Sequence, residues 1–281
     1  MEAGSGNGSD ALKLNMKFVE ELLVKFLHDE TTAAGFAKSV VGLSGGVDSA
    51  VVAALAAKAL GKQNVLGVIL PHSTSSDAST KDAMLVAKEV GIKSETIDIS
   101  PMVDAYCQRQ KIKDNVRRGN VMARVRMIML YDASAREQGL VIGTSNKTEL
   151  MLGYGTLHGD MASAVNPVGD LYKTQIWQLA EWLGLPKHII EKKPTADLWA
   201  GQTDEGELGF KYTDLDRLLY YMIDERRTDE ELSELRFRTE FVGKIRKIVQ
   251  KNQFKRRPPV IAKISYRTVN VDFRYVRDWG I

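Results

Sequence analysis

The sequence has little cysteine, no long apolar run and no marked excess of either charge. One of its 281 residues is a cysteine, Cys107, so an intrachain disulfide and a cysteine-based zinc site are both excluded. The net charge of +3 comes from 39 basic and 36 acidic side chains, a balance that does not indicate a nucleic-acid or membrane partner. The apolar runs are too short to span a bilayer. We therefore expect a cytoplasmic protein without either partner.

Histidine is also scarce, and the four histidines are scattered along the chain. No grouping of His, Cys and acid therefore indicates a site for nucleophilic catalysis. Cys107 lies on a predicted helix without a nearby histidine, so we expect a small buried residue. His72 follows a predicted strand, and we expect a loop residue there rather than a catalytic base.

The composition along the chain also indicates its domain organisation. Residues 1–11 are rich in glycine and serine and lack the basic and apolar regions of a signal peptide, so they predict a disordered leader. No stretch after them has the composition of a linker. Residues 12–281 are therefore predicted to form a single domain.

Strand-like and helix-like segments alternate in the first half of the chain. Strands are predicted at KSVVGLS, NVLGVILP, SETIDI and LVIGT, and helices at DSAVVAALAAKALG, ASTKDAMLVAKEVG and NVMARVRMIMLYDASAREQG. This alternation predicts an α/β fold, a doubly wound parallel sheet with helices on both faces. Two later stretches, YTDLDRLLYYMIDE and DEELSELRFRTEFVGKIRKIVQKN, predict a small helical addition at the C-terminal end.

A glycine-rich turn joins the first predicted strand to the helix after it, in VVGLSGGVDSAVVAAL. Backbone N–H groups at such a helix start bind phosphate, and the serine hydroxyls add donors. Neither the Walker lysine nor a Gly-x-Gly-x-x-Gly turn is present, and the simpler alternative is a tight turn capped by Asp48 or Ser49. An acid beside a phosphate site favours a bound Mg²⁺. The predicted phosphate-binding residues are Gly42, Leu43, Ser44, Gly45, Gly46, Val47, Asp48 and Ser49.

The segment SGGVDS resembles the signature of the ATP pyrophosphatases, which adenylate an acid or carbonyl oxygen and release pyrophosphate. Three longer blocks resemble the NAD synthetases within that superfamily: GTSNKTELMLGYGTLHGDMASAVNPVGDLYKT, KKPTADLWAGQTDEGELG and RGNVMARVRM. The resemblance implies an adenine nucleotide α-hydrolase-like fold. It also implies the last step of NAD⁺ biosynthesis, in which ATP adenylates the nicotinate carboxylate of deamido-NAD⁺ and ammonia displaces AMP.

The resemblance assigns roles around ATP. Asp48 and Glu149 match the carboxylates that bind Mg²⁺, and Thr144, Lys173 and Thr195 match residues that contact ATP. Lys173 is thereby expected to stabilise charge during adenylation. Without the blocks, Glu149 would be a surface acid of a helix, Lys173 a solvated lysine and Thr195 a capping residue.

The resemblance also implies contacts to the dinucleotide. Arg124 matches a residue that binds deamido-NAD⁺, although a salt bridge on the helix surface is the simpler alternative. Asn120 and Arg118 precede it near helical spacing and are weaker candidates. Lys255 matches a substrate contact in the basic tail, where it could equally be solvated.

The remaining substrate contacts involve one acid and three positions at which this chain differs from the family. Asp160 matches an acid suggested to bind ammonium or to take its proton, and a turn-forming Asp is the alternative. Leu157 and Ala164 stand where short bacterial enzymes of the family have a Lys and an Asp. Phe254 stands where those enzymes have a His. The contacts that bind deamido-NAD⁺ are therefore expected to differ from those in the short bacterial enzymes.

The resemblance further implies a homodimer with the dinucleotide site at its interface. The helix VMARVRMIMLYDA could form that interface or belong to the core. Only a short helix precedes the glycine-rich turn, where larger relatives have a glutaminase domain, so we expect ammonia as nitrogen donor. The alternatives are another adenylating enzyme, acting on a purine nucleotide or tRNA, and a nucleotide-binding regulator without activity. The combination of Asp48, Glu149 and Lys173 argues against the regulator.

Overall fold

A four-stranded parallel sheet organises the first half of the chain. The computed structural model describes residues 11–195, 197, 204–266 and 268. The predicted leader therefore lies outside the described residues except for Ala11. The strands are β1 Lys38–Gly42, β2 Val65–Ile69, β3 Lys93–Thr96 and β4 Gly139–Ile142. The helices are α1 Met16–Ala33, α2 Val47–Leu60, α3 Asp77–Val90, α4 Ser100–Arg109, α5 Asn115–Glu137, α6 Lys147–Leu152, α7 Lys173–Trp182, α8 Lys187–Ile190, α9 Asp204–Leu208, α10 Tyr212–Leu219, α11 Asp229–Glu234 and α12 Thr239–Lys251.

The strand order β3-β2-β1-β4 creates a switch point between β1 and β4. The chain runs from β1 outward to β2 and β3 and then returns to the other side of β1, with Val40 paired with Leu66 on one side and Val141 on the other. Open α/β sheets bind ligands at the carboxyl ends of the strands beside such a point. The glycine-rich turn follows β1 and Thr144 follows β4, so the topology brings these two segments together.

Both faces of the sheet are covered by helices, as the sequence predicts. In β1, Val41 packs into an apolar cluster with α1, α2, α3 and α7, while Val40 packs on the opposite face with α4 and α5. Successive side chains of a strand point to opposite faces, so a five-residue apolar strand serves both layers. Cys107 is buried in the second cluster, as expected.

The predicted helices at the C-terminal end form, but with two differences. The helix predicted over residues 229–252 is broken into α11 and α12, because Arg236 has a φ of 67° and the Phe237 N–H bonds to the Leu232 carbonyl instead of continuing the helix. The helix α10 continues as a π-helical turn, Tyr220–Asp224. These helices form their own apolar cluster, which includes Tyr172 and Leu152 from the segments after β4.

Among the described residues, no helix is both long and apolar enough to cross a membrane.

Candidate active site

A cavity of about 600 Å³ opens at the switch point between β1 and β4. It extends from the glycine-rich turn to the loop after α6 and to the segment before α9. Most of the predicted site residues line it, although Gly45 and Arg124 do not. The predicted residues that line the cavity are Gly42, Leu43, Ser44, Gly46, Val47, Asp48, Ser49, Asn120, Thr144, Glu149, Asp160, Lys173, Thr195 and Lys255.

The glycine-rich turn is held in shape by its own hydrogen bonds. The Ser49 hydroxyl donates to the Gly46 carbonyl at 2.9 Å, and the Gly46 N–H donates to the Ser44 hydroxyl at 3.2 Å. Gly45 has a φ of 75°, and a Cβ there would collide with the Ser79 carbonyl oxygen. The buried Ser49 hydroxyl therefore shapes the turn, while the start of α2 points its backbone N–H groups at the cavity.

Two carboxylates from different segments meet at one ammonium group. The Lys173 Nζ lies 2.5 Å from Asp48 Oδ2 and 3.7 Å from Glu149 Oε1. Asn146 joins the same group, because its side-chain N–H donates to Asp48 Oδ1 at 2.9 Å and its Oδ1 accepts from the Glu149 N–H at 2.9 Å. The start of α2, the start of α6 and the start of α7 thus converge on one charged cluster.

The electrostatics of this cluster favour an additional cation. Burial, followed by the neighbouring Asp48 charge, raises the pKa of Glu149 to about 8. Burial lowers the pKa of Lys173, whose side chain is only 3% exposed, but the two carboxylates together outweigh burial and raise this pKa, so the ammonium stays charged. The described residues contain no group of three or more acids, histidines or cysteines that could hold a metal. Two carboxylates beside a phosphate site nonetheless fit Mg²⁺, which takes its remaining ligands from phosphate and water.

A third carboxylate, which the sequence did not indicate, borders the cluster. Asp204 begins α9 and accepts a hydrogen bond from the Tyr212 hydroxyl at 3.1 Å, and the Tyr154 hydroxyl lies 3.1 Å from its other oxygen. Burial raises the pKa of Asp204 and also that of Tyr212, so the phenol remains a donor. Through these two hydrogen bonds, Asp204 connects the start of α10 to Tyr154 on the cavity wall.

The remaining ATP candidates lie on the cavity wall. Thr144 follows β4. The Thr195 hydroxyl accepts from the Asp197 N–H at 3.1 Å, so Thr195 caps a turn, which was the simpler alternative for this residue. Three cations that line the cavity, Lys192, Arg126 and Lys193, were missed. Lys192 lines the cavity, donates to the Gly45 carbonyl at 3.3 Å and pairs with Asp82 at 2.7 Å, so it supports the turn from the cavity wall.

Arg126 is the second missed cation. It lines the cavity, and its Nε donates to the Leu70 carbonyl at 3.0 Å. Burial lowers the pKa of its guanidinium. Its position two residues after Arg124 was available in the sequence, but only the packing of α5 shows that Arg126 faces inward.

Asp160 and Lys255 face each other across the loop after α6. The Lys255 Nζ donates to the carbonyls of Gly153 and Gly155 at 2.7 and 2.8 Å, and Asp160 accepts from the Thr156 N–H at 2.8 Å. The Asp160 side chain reaches solvent through the cleft but is surrounded by protein atoms, which raises its pKa. A raised pKa brings a carboxylate closer to the range in which it exchanges protons.

The candidates on α5 separate into different environments. Asn120 accepts from the Thr156 hydroxyl at 3.0 Å, whereas Arg124 lies on the exposed side and donates to the Leu157 carbonyl at 3.2 Å. Arg118, the other weaker candidate, does not line the cavity and pairs instead with Asp104 at 2.8 Å. His72 is a loop residue, as expected, but its side chain is buried and its Nε2 lies 3.2 Å from Asp104.

Comparison with known proteins identifies the family of this chain. The family model for NAD synthase matches residues 19–259. The NH(3)-dependent NAD(+) synthetase of Trichlorobacter lovleyi is 58% identical over 269 residues, which cover 96% of this chain and 98% of the relative.

Two solved structures resemble this chain closely. The NMN synthetase from Francisella tularensis is 32% identical with a TM-score of 0.80, and the match covers 90% of this chain and 100% of that chain. The NH3-dependent NAD synthetase from Campylobacter jejuni, in complex with the nitrate ion, is 35% identical with a TM-score of 0.77 and covers 89% and 100%. The expected adenine nucleotide α-hydrolase-like fold is confirmed by these neighbours. The chain therefore belongs to the NAD synthase family.

Proposed function

We propose that this chain is a ligase that makes NAD⁺ from deamido-NAD⁺, ammonia and ATP, and that the cavity at the switch point holds the reacting groups. A nicotinate carboxylate oxygen attacks the α-phosphorus of ATP, and pyrophosphate leaves. Ammonia then attacks the carbonyl carbon of the adenylate, and AMP leaves with the electron pair of the broken C–O bond. The observation that carries this proposal is the meeting of Asp48, Glu149 and Lys173 beside the glycine-rich turn.

The turn and Lys173 act on the phosphates. Backbone N–H groups at the start of α2 bind phosphate oxygens, and the helix dipole adds to this attraction. Lys173 stays charged and buried, so its ammonium stabilises the negative charge that moves onto pyrophosphate. Thr144 and Thr195 line the same cavity and contribute hydroxyl groups to the ATP site.

Asp48 and Glu149 hold Mg²⁺ in this proposal. The bound ion would neutralise charge on the phosphate oxygens and on the leaving pyrophosphate. Asp48→Asn and Glu149→Gln should each lower pyrophosphate release while leaving the circular dichroism spectrum unchanged. Full activity of both variants would remove the metal assignment.

Asp160 handles the ammonium ion. Its carboxylate lies in the cleft, and burial raises its pKa, so it can bind NH₄⁺ and accept one of its protons. The attacking group is then neutral ammonia. The names of the relatives, which specify NH(3), support ammonia as the donor.

Arg124, Asn120 and Lys255 bind deamido-NAD⁺ in this proposal, and a second copy of the chain completes the site. Arg124 lies on the outer side of α5, where Ile128 and Tyr131 are also exposed. Apolar side chains on that side favour an interface between two copies. Light scattering on the purified protein tests the homodimer, and a monomer at micromolar concentration would contradict it.

The decisive experiment measures NAD⁺ formation with ATP and Mg²⁺, using NH₄Cl and glutamine in parallel. We expect NAD⁺ from NH₄Cl with deamido-NAD⁺ and none above background from glutamine. No product from either donor, in folded protein that binds ATP, would overturn the proposed function.

A second acceptor has a specific reason to be included. The Francisella structure is an NMN synthetase and matches this chain with a TM-score of 0.80. Nicotinate mononucleotide carries the same reacting carboxylate as deamido-NAD⁺. The assay should therefore compare kcat/KM for the two acceptors, and we expect the dinucleotide to be preferred. Preference for the mononucleotide would retain the chemistry and change the substrate.

A further inference from the structure

Two aspartates of the C-terminal helices reach the starts of both helices that carry Glu149 and Lys173. We propose that Asp216 and Asp224, together called the aspartate brace, are positioning residues that fix the separation of Glu149 and Lys173. The inference rests on the proposed function, because it concerns how the ATP-activating groups are held.

Asp216 forms the inner half of the brace. It is 0% exposed, and its two oxygens accept from the Thr148 hydroxyl at 2.6 Å and from the Thr174 N–H at 2.8 Å. Thr148 directly precedes Glu149, and Thr174 directly follows Lys173. The Thr148 hydroxyl also accepts from the Lys173 N–H at 3.0 Å. One buried carboxylate thus joins the two residues that neighbour the functional pair.

Asp224 forms the outer half. Both of its oxygens lie 3.0 Å from the Lys147 ammonium, and one also accepts from the Tyr172 hydroxyl at 3.0 Å. Lys147 is the first residue of α6, and Tyr172 immediately precedes α7. The Lys147 Nζ lies 4.8 Å from the centre of the Tyr172 ring, so the two partners also contact each other. The outer half therefore repeats the connection that Asp216 makes.

The π-helical turn explains why two residues eight apart reach the same pair of helices. In an α-helix of 3.6 residues per turn, they would be rotated about 80° from each other around the axis. From Tyr220 onward the Glu225 N–H bonds to the Tyr220 carbonyl five residues back, which widens the turn. A wider turn rotates less per residue, so Asp224 comes closer to the face that carries Asp216.

The brace matters because Glu149 and Lys173 lie on separate helices. The helix α6 has only six residues, and the Glu149 carboxylate lies 3.7 Å from the Lys173 ammonium without a direct hydrogen bond. A displacement of roughly 1 Å between reacting or stabilising groups can lower a rate by about 10²-fold. Neither aspartate lines the cavity, so any effect of their loss on turnover acts through Glu149 and Lys173.

The chain offers a matched control for a purely structural or electrostatic effect. Asp170 also lies 3.0 Å from the Lys147 ammonium, but its side chain is 95% exposed. Asp224→Asn and Asp170→Asn therefore remove the same charge from the same lysine, and only the first replaces the charged acceptor of the Tyr172 hydroxyl by a neutral amide. Asp216→Asn tests the inner half, and the Asp224 variant decides the question if Asp216→Asn does not fold.

The experiment measures kcat, KM for both substrates, affinity for Mg²⁺·ATP by calorimetry and the thermal unfolding midpoint. For Asp224→Asn, assayed well below its midpoint, we expect about a tenfold loss of kcat and of Mg²⁺·ATP affinity, with KM for deamido-NAD⁺ unchanged within about twofold. Asp170→Asn should behave like the wild type.

Two results would overturn the brace: equal kinetics of the two variants, or a lower midpoint of Asp224→Asn without loss of kcat. A wild-type protein that binds Mg²⁺·ATP but makes no NAD⁺ would instead refute the proposed function. The difference in Mg²⁺·ATP affinity between the two variants would then still decide the brace.

Discussion

The two sides of the cleft reach the same charged cluster by different means. The turn after β1 is continuous in sequence, and its serines and glycines hold each other through bonds between residues at most five apart. On the other side, Glu149 and Lys173 start two separate helices. Their neighbours Thr148 and Thr174 depend on Asp216, which lies 68 residues after Thr148.

This difference separates local from long-range determination of an active site. Most bonds of the turn come from its own residues, with a close approach to α3 and one bond from Lys192, so its geometry follows mainly from a short motif. The other side depends on packing of the C-terminal helices, and changes far from the cleft should alter it. The predictions below act on one side, the other or the link between them.

Replacement of the ammonium that links the two sides should have the largest effect. Lys173→Met leaves Asp48 and Glu149 without their shared cation and removes the group that stabilises charge on pyrophosphate. We expect kcat to fall about 10²–10³-fold in steady-state assays. Lys58→Met provides the control, because Lys58 pairs with Glu20 on the surface between α1 and α2 and should leave kcat unchanged.

The division between local and long-range determination also separates the features that the sequence predicts from those that it does not. The turn and the sheet could be expected from the local pattern, and the roles of Asp48, Glu149 and Lys173 from the resemblance of the longer blocks. Asn146 had a local signal, since Asn-x-x-Glu before a helix is a capping box, and the structure contains that box.

Other features had no local signal. Nothing around Asp204 or Asp216 in the sequence indicates that Tyr154 or Thr148 is a partner, because these residues come from remote segments. The π-helical turn and the break at Arg236 were missed because packing, rather than helical periodicity, determines them.

The pH dependence of stability tests the long-range side. Burial raises the pKa of Asp216 from 3.8 to about 6, although its hydrogen bonds to Thr148 and Thr174 oppose the shift. The folded state therefore binds more protons between these values, and the stability from the protonated carboxyl is lost as pH rises through about 6. The loss amounts to about 3 kcal/mol.

Asp216→Asn cannot titrate and should remove this part of the slope. Urea unfolding of both proteins at several pH values between 4 and 7 measures it. Parallel stability curves for the wild type and the variant would show that Asp216 does not carry the effect.

A methyl group in the glycine-rich turn tests the local side. Gly45→Ala would strain a φ of 75° and push against the Ser79 carbonyl, so we expect about 2 kcal/mol lower stability and weaker ATP binding. Gly35 has a φ of 82° but no atom within 4 Å of an added Cβ. Gly35→Ala therefore carries only the backbone strain. Unfolding by denaturant compares the two, and equal losses would mean that the contact with α3 does not constrain the turn.

The smallest effect in stability concerns Asn146, which connects the two sides through Asp48 and Glu149. Asn146→Ser retains a capping oxygen for α6 but loses the bond to Asp48, whereas Asn146→Ala loses both. We expect the Ala variant to be about 1 kcal/mol less stable than the Ser variant. Both should lose about tenfold in kcat, because each lacks the hydrogen bond to a charged carboxylate. If Asn146→Ser kept full kcat, capping of α6 alone would place Glu149, and the two sides of the cleft would meet only through Lys173.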